Sequence, residues 1–346
     1  MSSASERTFA QHAGPLLRVE DLRVHIPTSR GVVEAVDGVS FSINKGEIVG
    51  IVGESGCGKS MLALSIVRLV PSPGRIIAGH VAMAGRDLLS LSEREMRRVR
   101  GNDVGMIFQD PSASLNPVMR VGDQVSETVE AHHSLTALQA KQRSLDMLRA
   151  VRIPGPEVRY RDYPHQYSGG MRQRAMIAVG SVNHPRLLIA DEPTTALDVT
   201  VQAQIMELLL AMNRATGTAI MLITHNIALV SHFCSRVMVM YAGRVVESGP
   251  TLEVFETPKH PYTDALLKAV PRIEEKSEGG LLPIEGRPPD LARKPRGCAF
   301  HPRCPQRKDI CLVEEPPPFK IGPGRKARCW LAQETSPFEE DARLSS

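Results

Sequence analysis

The chain has 346 residues, more than one compact domain usually needs, with ordinary apolar content and a net charge of +4. That charge is too small for the length to argue for nucleic-acid binding, and no apolar run approaches the ~20 residues of a membrane span. Segment 1–14 is polar and lacks the apolar stretch of a signal peptide, so the expectation is a soluble, cytoplasmic chain in which six cysteines do not form a disulfide framework.

Residues 16–26 largely alternate apolar and polar and predict a strand; 36–43 predict another. The apolar run 47–52 ends in a glycine loop, and 61–70 then predict a helix stopped by Pro71 and Pro73. Residues 105–108 read as a short buried strand. From about 111 to 180 the strand pattern gives way to helical, polar sequence, as in a helical insertion within an α/β core. Short apolar strands return at 187–190 and 220–223. Between them Val201, Ile205, Leu208, Leu209 and Met212 form one apolar helix face, so a parallel βαβ arrangement follows. Residues 236–246 predict a strand pair turning at Ala242-Gly243. After about Pro271 charged residues, Gly and Pro dominate. This places a boundary there, between 16–270 and a tail, 271–346, too poor in apolar residues for a large core of its own.

Gly53-Glu54-Ser55-Gly56-Cys57-Gly58-Lys59-Ser60 fits G-x-x-x-x-G-K-[ST] between a strand and a helix, the context that a phosphate-binding loop requires. The glycines let backbone N–H groups face phosphate oxygens, and the helix start adds its positive dipole end. Lys59 is expected to reach the β- and γ-phosphates of ATP, and the Ser60 hydroxyl to ligate Mg²⁺. Cys57 reads as a small filler. Asp191 ends an apolar strand and is expected to hold Mg²⁺, directly or through water; Glu192 follows as a general base for the attacking water. His225 and Gln109 also end strands. The first is expected to contact the γ-phosphate, the second to sense Mg²⁺ and the water.

At Tyr167-Ser168-Gly169-Gly170-Met171-Arg172-Gln173 the sequence resembles the signature of ATP-binding cassette (ABC) transporter subunits, and the resemblance spans about 16–270. It implies an α/β P-loop nucleotide-binding domain with a helical subdomain at about 111–180, ATP hydrolysis, and head-to-tail pairing of two cassettes. Ser168, Gly169 and Gly170 would then serve the partner's ATP from the start of a helix at 170–182. Ala196-Leu197-Asp198 resembles the loop that crosses that interface. His260-Pro261-Tyr262-Thr263, Leu266-Leu267 and the segment 297–305 are similar to the oligopeptide/dipeptide/nickel importer group. The implied partners are two integral membrane permeases, a second, non-identical ATPase subunit and an extracytoplasmic substrate-binding protein, with no nucleic acid. The implied location is the cytoplasmic face of the membrane. Two departures stand out. Ile26, beside His25, occupies the region where the family usually stacks an aromatic on adenine, and Asn226 replaces the acid that often follows the histidine.

Cys298, Cys304, Cys311 and Cys329 are spaced x₅, x₆ and x₁₇. Four thiolates suit Zn²⁺ or a [4Fe–4S] cluster; the spacing chooses neither, nor does it exclude unmetallated thiols. The resemblance favours the cluster in a small C-terminal extension. Two competing functions remain at this level, a non-transport ABC ATPase and a redox-sensing ATP switch.

Overall fold

The structure, a computed structural model, describes residues 14–195, 197–269 and 284–333. Strands β1 (Leu17–Thr28) and β2 (Gly31–Ile43) form a long antiparallel hairpin. Strand β3 (Ile48–Val52) leads into the glycine loop. Strands β4 (Arg75–Met83) and β5 (Arg86–Asp87) return to the hairpin and complete a sheet ordered β2-β1-β4-β5. Strands β6 (Val104–Ile107), β7 (Leu187–Asp191) and β8 (Ala219–Ile223) lie parallel to β3. Strand β9 (Arg236–Tyr241) is also parallel to β3, while β10 (Arg244–Pro250) runs back against β9. The connecting Ala242 and Gly243 both have positive φ, 49° and 83°, as a two-residue turn that matches strand twist requires. Strands β11 (Phe319–Gly322) and β12 (Arg325–Ala327) form a hairpin whose second strand pairs with β10 at Glu247 and Ser248. The main sheet is therefore ordered β11-β12-β10-β9-β3-β8-β7-β6.

The period of two sorts the central strands onto two cores. Leu188, Ala190, Ile220, Leu222, Val237 and Val239 pack on one face. Leu187, Ile189, Met221, Ile223, Met238 and Met240 pack on the other. Both faces are covered, which is why these strands read as continuous apolar runs rather than alternating ones. Each such fully buried Leu, Ile, Val or Met side chain contributes about 1.5–3 kcal/mol. The helix predicted from Val201 to Met212 spans Val199–Thr216 and buries Ile205, Met206, Leu208 and Leu209.

The segment after β6 is helical. Helices Val121–Glu130, Ala137–Ala150 and Gly169–Ser181 pack through Val125, Val129, Leu148 and Ala175. One buried polar cluster between them is satisfied internally: Ser126 Oγ lies 2.7 Å from Tyr160 Oη and 2.9 Å from Ser144 Oγ. Gly122 is fixed by that tyrosine, since a Cβ there would meet the ring at 2.2 Å.

The tail joins the main sheet and the main core. Phe300 is 1% exposed and packs against Tyr241 and Tyr262. Arg325 pairs with Glu247 at 3.1 Å, with both side chains buried. The carboxylate of Glu247 also accepts from the N–H groups of Lys259 and His260. Polar pairing thus supplies part of what apolar burial in the tail does not.

Candidate functional site

The parallel order β3-β8-β7-β6 brings four strand ends to one edge, where open α/β sheets bind ligands. Helix Lys59–Ile66 begins at the phosphate loop, with Gly58 as its N-cap at φ 104°. A side chain at Gly58 would collide with the Ala35 carbonyl oxygen, 2.0 Å from an ideal Cβ, so the motif's glycine is demanded by backbone conformation and by space. Lys59 is 5% exposed, and its ammonium donates to the carbonyls of Gly53 (2.8 Å) and Glu54 (2.9 Å). Cys57 is buried beside it, its thiol pushed up chiefly by burial. Gly56 faces open space.

Asp191 closes β7 and is 4% exposed. Burial pushes its carboxyl up, opposed by a hydrogen bond from Ser60 and the charge of Lys59, while Glu192 pushes it further up. Its Oδ1 has no hydrogen-bond partner among the described residues. A buried, unsatisfied carboxylate oxygen beside a hydroxyl is a hard oxygen donor set, the kind that suits Mg²⁺.

Glu192 is the meeting point. Its Oε2 accepts from Thr195 Oγ1 at 2.8 Å and from Gln109 Nε2 at 3.4 Å, and lies 3.3 Å from His225 Nδ1. Its backbone is left-handed, φ 48°, and its N–H donates to the carbonyl of Ile223 on β8. A non-glycine residue in that region is uncommon and marks a functional constraint. Gln109, Asp191, Glu192 and His225 are therefore brought to one place. Thr195 was not among the residues expected here. Asn226, the departure from the family pattern, caps helix Ile227–Phe233 by accepting from Ala228 and Leu229 N–H.

Ser168 and Gly169 are exposed. Ser168 caps helix Gly169–Ser181 by accepting from Met171 N–H at 3.3 Å, one residue earlier than the sequence predicts. Asp198 caps the next long helix through Val201 N–H, while Ala196 lies outside the described residues. Glu54 and Ser55 complete the loop; Ser55 is exposed, whereas Glu54 is held by two side chains from beyond residue 260.

The four-cysteine expectation finds no metal-binding group among the described residues. Cys298, Cys304, Cys311 and Cys329 share one neighbourhood, where each of Cys298 and Cys329 feels the charge of Cys304 and Cys311. All four are free thiols. Yet among the described residues no three His, Cys, Asp or Glu side chains come together closely enough to hold a metal ion. Burial raises the thiol of Cys298 to about 12 and that of Cys329 to about 11. As arranged, the four thiols do not form a closed ligand set for a [4Fe–4S] cluster or Zn²⁺ among the described residues.

Comparison with known proteins gives the family. A family model described as "ABC transporter" matches residues 36–195, and one described as "Oligopeptide/dipeptide transporter, C-terminal region" matches 246–311. The chain is 49% identical to a probable peptide ABC transporter ATP-binding protein of Sinorhizobium fredii, over 92% of this chain and 96% of the relative. It is 49% identical to the oligopeptide transport ATP-binding protein OppD of Escherichia coli, over 92% and 94%. It is 47% identical to the dipeptide transport ATP-binding protein DppD of the same organism, over 91% and 96%. Among solved structures, the ATP-binding cassette MJ0796, a dimer in a post-hydrolysis state with ADP and Pi, superposes with a TM-score of 0.62 at 26% identity, covering 68% of this chain and 98% of that one. Fold and site together define an ATP-hydrolysing cassette on an α/β P-loop scaffold. The chain belongs to the oligopeptide/dipeptide group of ABC transporter ATP-binding subunits.

Proposed function

We propose that this chain powers the import of peptides or related small solutes by hydrolysing ATP beneath separate membrane permeases. The observation that carries the chemistry is the convergence of Gln109, Thr195 and His225 on the carboxylate of Glu192, next to Asp191 and the phosphate loop. In this reading Lys59 holds the β- and γ-phosphates, with the loop from Gly53 to Ser60 around them. Ser60, Asp191 and Gln109 would hold Mg²⁺, which would supply positive charge to offset that of the phosphates. Glu192 accepts a proton as a water oxygen bonds to the γ-phosphorus and the bond to the bridging oxygen of ADP breaks. His225 orients the water and Glu192. Contacts of 3.3–3.4 Å are loose, as catalytic contacts are before substrate arrives.

Ser168, Gly169 and Gly170, the first two exposed, complete the site of a second ATPase subunit, homologous and non-identical, in a head-to-tail pair. The exposed helix start supports this reading, because its free N–H groups bind anions. No helix of the described residues is long and apolar enough to cross a membrane. Attachment to the cytoplasmic face then runs through two permeases, and an extracytoplasmic binding protein delivers the cargo. The organisation into a cassette at 16–270 and an extension from 271 belongs to the same reading. An iron–sulfur centre in that extension has only the resemblance and the shared neighbourhood of four thiols behind it, so no step is routed through it. Anaerobic purification followed by iron and sulfide assay decides that point.

Affinity purification from the native membrane tests the whole. Co-purification of two permeases and a second cassette is expected; recovery of ribosomes or repair factors without permeases would overturn the transport reading.

A further inference from the structure

Glu54 sits at the second position of the phosphate loop, yet its partners come from the far end of the chain. Its N–H donates to Tyr262 Oη at 2.8 Å. Its carboxylate takes both ends of the Arg303 guanidinium, at 2.7 and 3.0 Å. Its carbonyl accepts from the Lys59 ammonium at 2.9 Å. Every polar group of Glu54 is thus engaged, and one of them holds the lysine of the phosphate site.

Both outside partners are rigidly mounted. The Arg303 side chain is 4% exposed and also donates to the carbonyls of Ile284 and Glu285 and to Tyr241 Oη. Its guanidinium stacks within 6.0 Å of the Tyr241 and Phe300 rings. The Glu54 carboxylate holds it charged well above the ordinary arginine value. Tyr262 is fully buried among Tyr241, His260 and Phe300, with its N–H on His260 Nδ1. Planar, bidentate pairing of this kind fixes direction as well as charge. A lysine would supply only the charge.

We propose that Tyr262 and Arg303 are positioning residues of the nucleotide site: the C-terminal region grips Glu54 and thereby sets the phosphate loop and Lys59 for ATP. This rests on the reading of 53–60 as the phosphate site. The charge argument gives the sign. A triphosphate brings several negative charges beside Glu54, and Arg303 neutralises the carboxylate that would repel them. Without Arg303 the carboxylate is left uncompensated in a partly buried position, where truncating one member of a charge pair costs most. The grip acts on binding more than on the bond-breaking step, because none of its members touches Glu192.

The test uses the full chain, a fluorescent ATP analogue, steady-state turnover and a thermal midpoint. Arg303→Met is expected to weaken binding about tenfold or more and to raise KM rather than lower kcat. Arg303→Lys recovers part of the loss. Glu54→Gln combined with Arg303→Met binds more tightly than Arg303→Met alone, because the repelling charge is gone. Tyr262→Phe weakens binding about threefold or more with an unchanged midpoint. Affinity within about twofold of wild type for Arg303→Met, or an equal loss with and without Glu54→Gln, overturns the proposal. Should Arg303→Met fail to fold, unchanged affinity in both Tyr262→Phe and Glu54→Gln overturns it instead. Lys59→Ala separates the two ideas: if that variant binds like wild type, the phosphate-site reading itself has failed.

Discussion

His225 Nδ1 stands 3.3 Å from Glu192 Oε2, although the two residues follow the ends of different strands, β8 and β7. The contact exists because adjacent parallel strands deliver consecutive carboxyl ends to one edge. Glu192 is 15% exposed and held from three sides, whereas the His225 side chain is 65% exposed.

Glu192→Gln keeps the shape and the contacts of the carboxylate but removes the proton acceptor. Turnover is expected to fall by about 10²–10⁴-fold with ATP binding retained. Parallel assays of phosphate release and nucleotide affinity check this; unchanged release means that Glu192 is not the base.

Ser168→Arg places a bulky cation at an exposed helix start without touching Lys59. In the assembled pair it is expected to silence hydrolysis at the partner's phosphate loop, while ATP still binds the loop of the mutated subunit. Nucleotide trapping scored separately in each subunit reads this out. Loss confined to the mutated subunit's own loop would show that Ser168 acts in its own chain.

Arg325→Met leaves the Glu247 carboxylate buried without its cation, at a cost of about 3–5 kcal/mol. Removing the charge as well, in Glu247→Gln with Arg325→Met, is expected to restore much of that stability. Denaturant midpoints of the three chains make the comparison, and equal losses in the single and double variants would contradict it.

His260 is buried and held neutral, its pKa lowered from 6.5 to about 3 by loss of water. The unfolded chain binds this proton below about pH 6.5 and the folded chain does not, so stability falls with acidification across that window. One such group contributes a slope of up to about 1.4 kcal/mol per pH unit. His260→Asn is expected to flatten the curve between roughly pH 6.5 and 5. Identical slopes in urea titrations would rule the histidine out as the source.

Much of the catalytic edge was legible because its residues follow short apolar strands in one order. Gly53 to Ser60, Gln109, Asp191, Glu192 and His225 each announce themselves locally. Thr195 did not, because a threonine after Pro193-Thr194 carries no pattern; only folding brings it onto Glu192. The β4 strand escaped because its exposed, weakly alternating sequence is broken by Gly79 at φ 102°. The β11–β12 hairpin escaped because it is short and polar and gains its place by pairing with β10. The hold of Arg303 on Glu54 joins residues 249 apart, beyond the reach of any local signal. The segments that carry Tyr262 and Arg303 were nevertheless visible as marks of the peptide-importer group. The four cysteines were visible as a cluster near the C-terminus and they share a neighbourhood in the fold, but among the described residues they form no ligand set.

Glu247 is a poor choice for any cassette that stands alone. Its side chain is fully buried, and the cation that neutralises it lies 78 residues further along. The core and the tail are therefore committed to each other in inheritance: neither could be lost or exchanged without rewriting position 247. Among shorter cassettes of the same fold, an apolar or small residue is expected where this chain has a glutamate. A single letter in the sheet would then tell which chains carry the extension, before the tail itself is read.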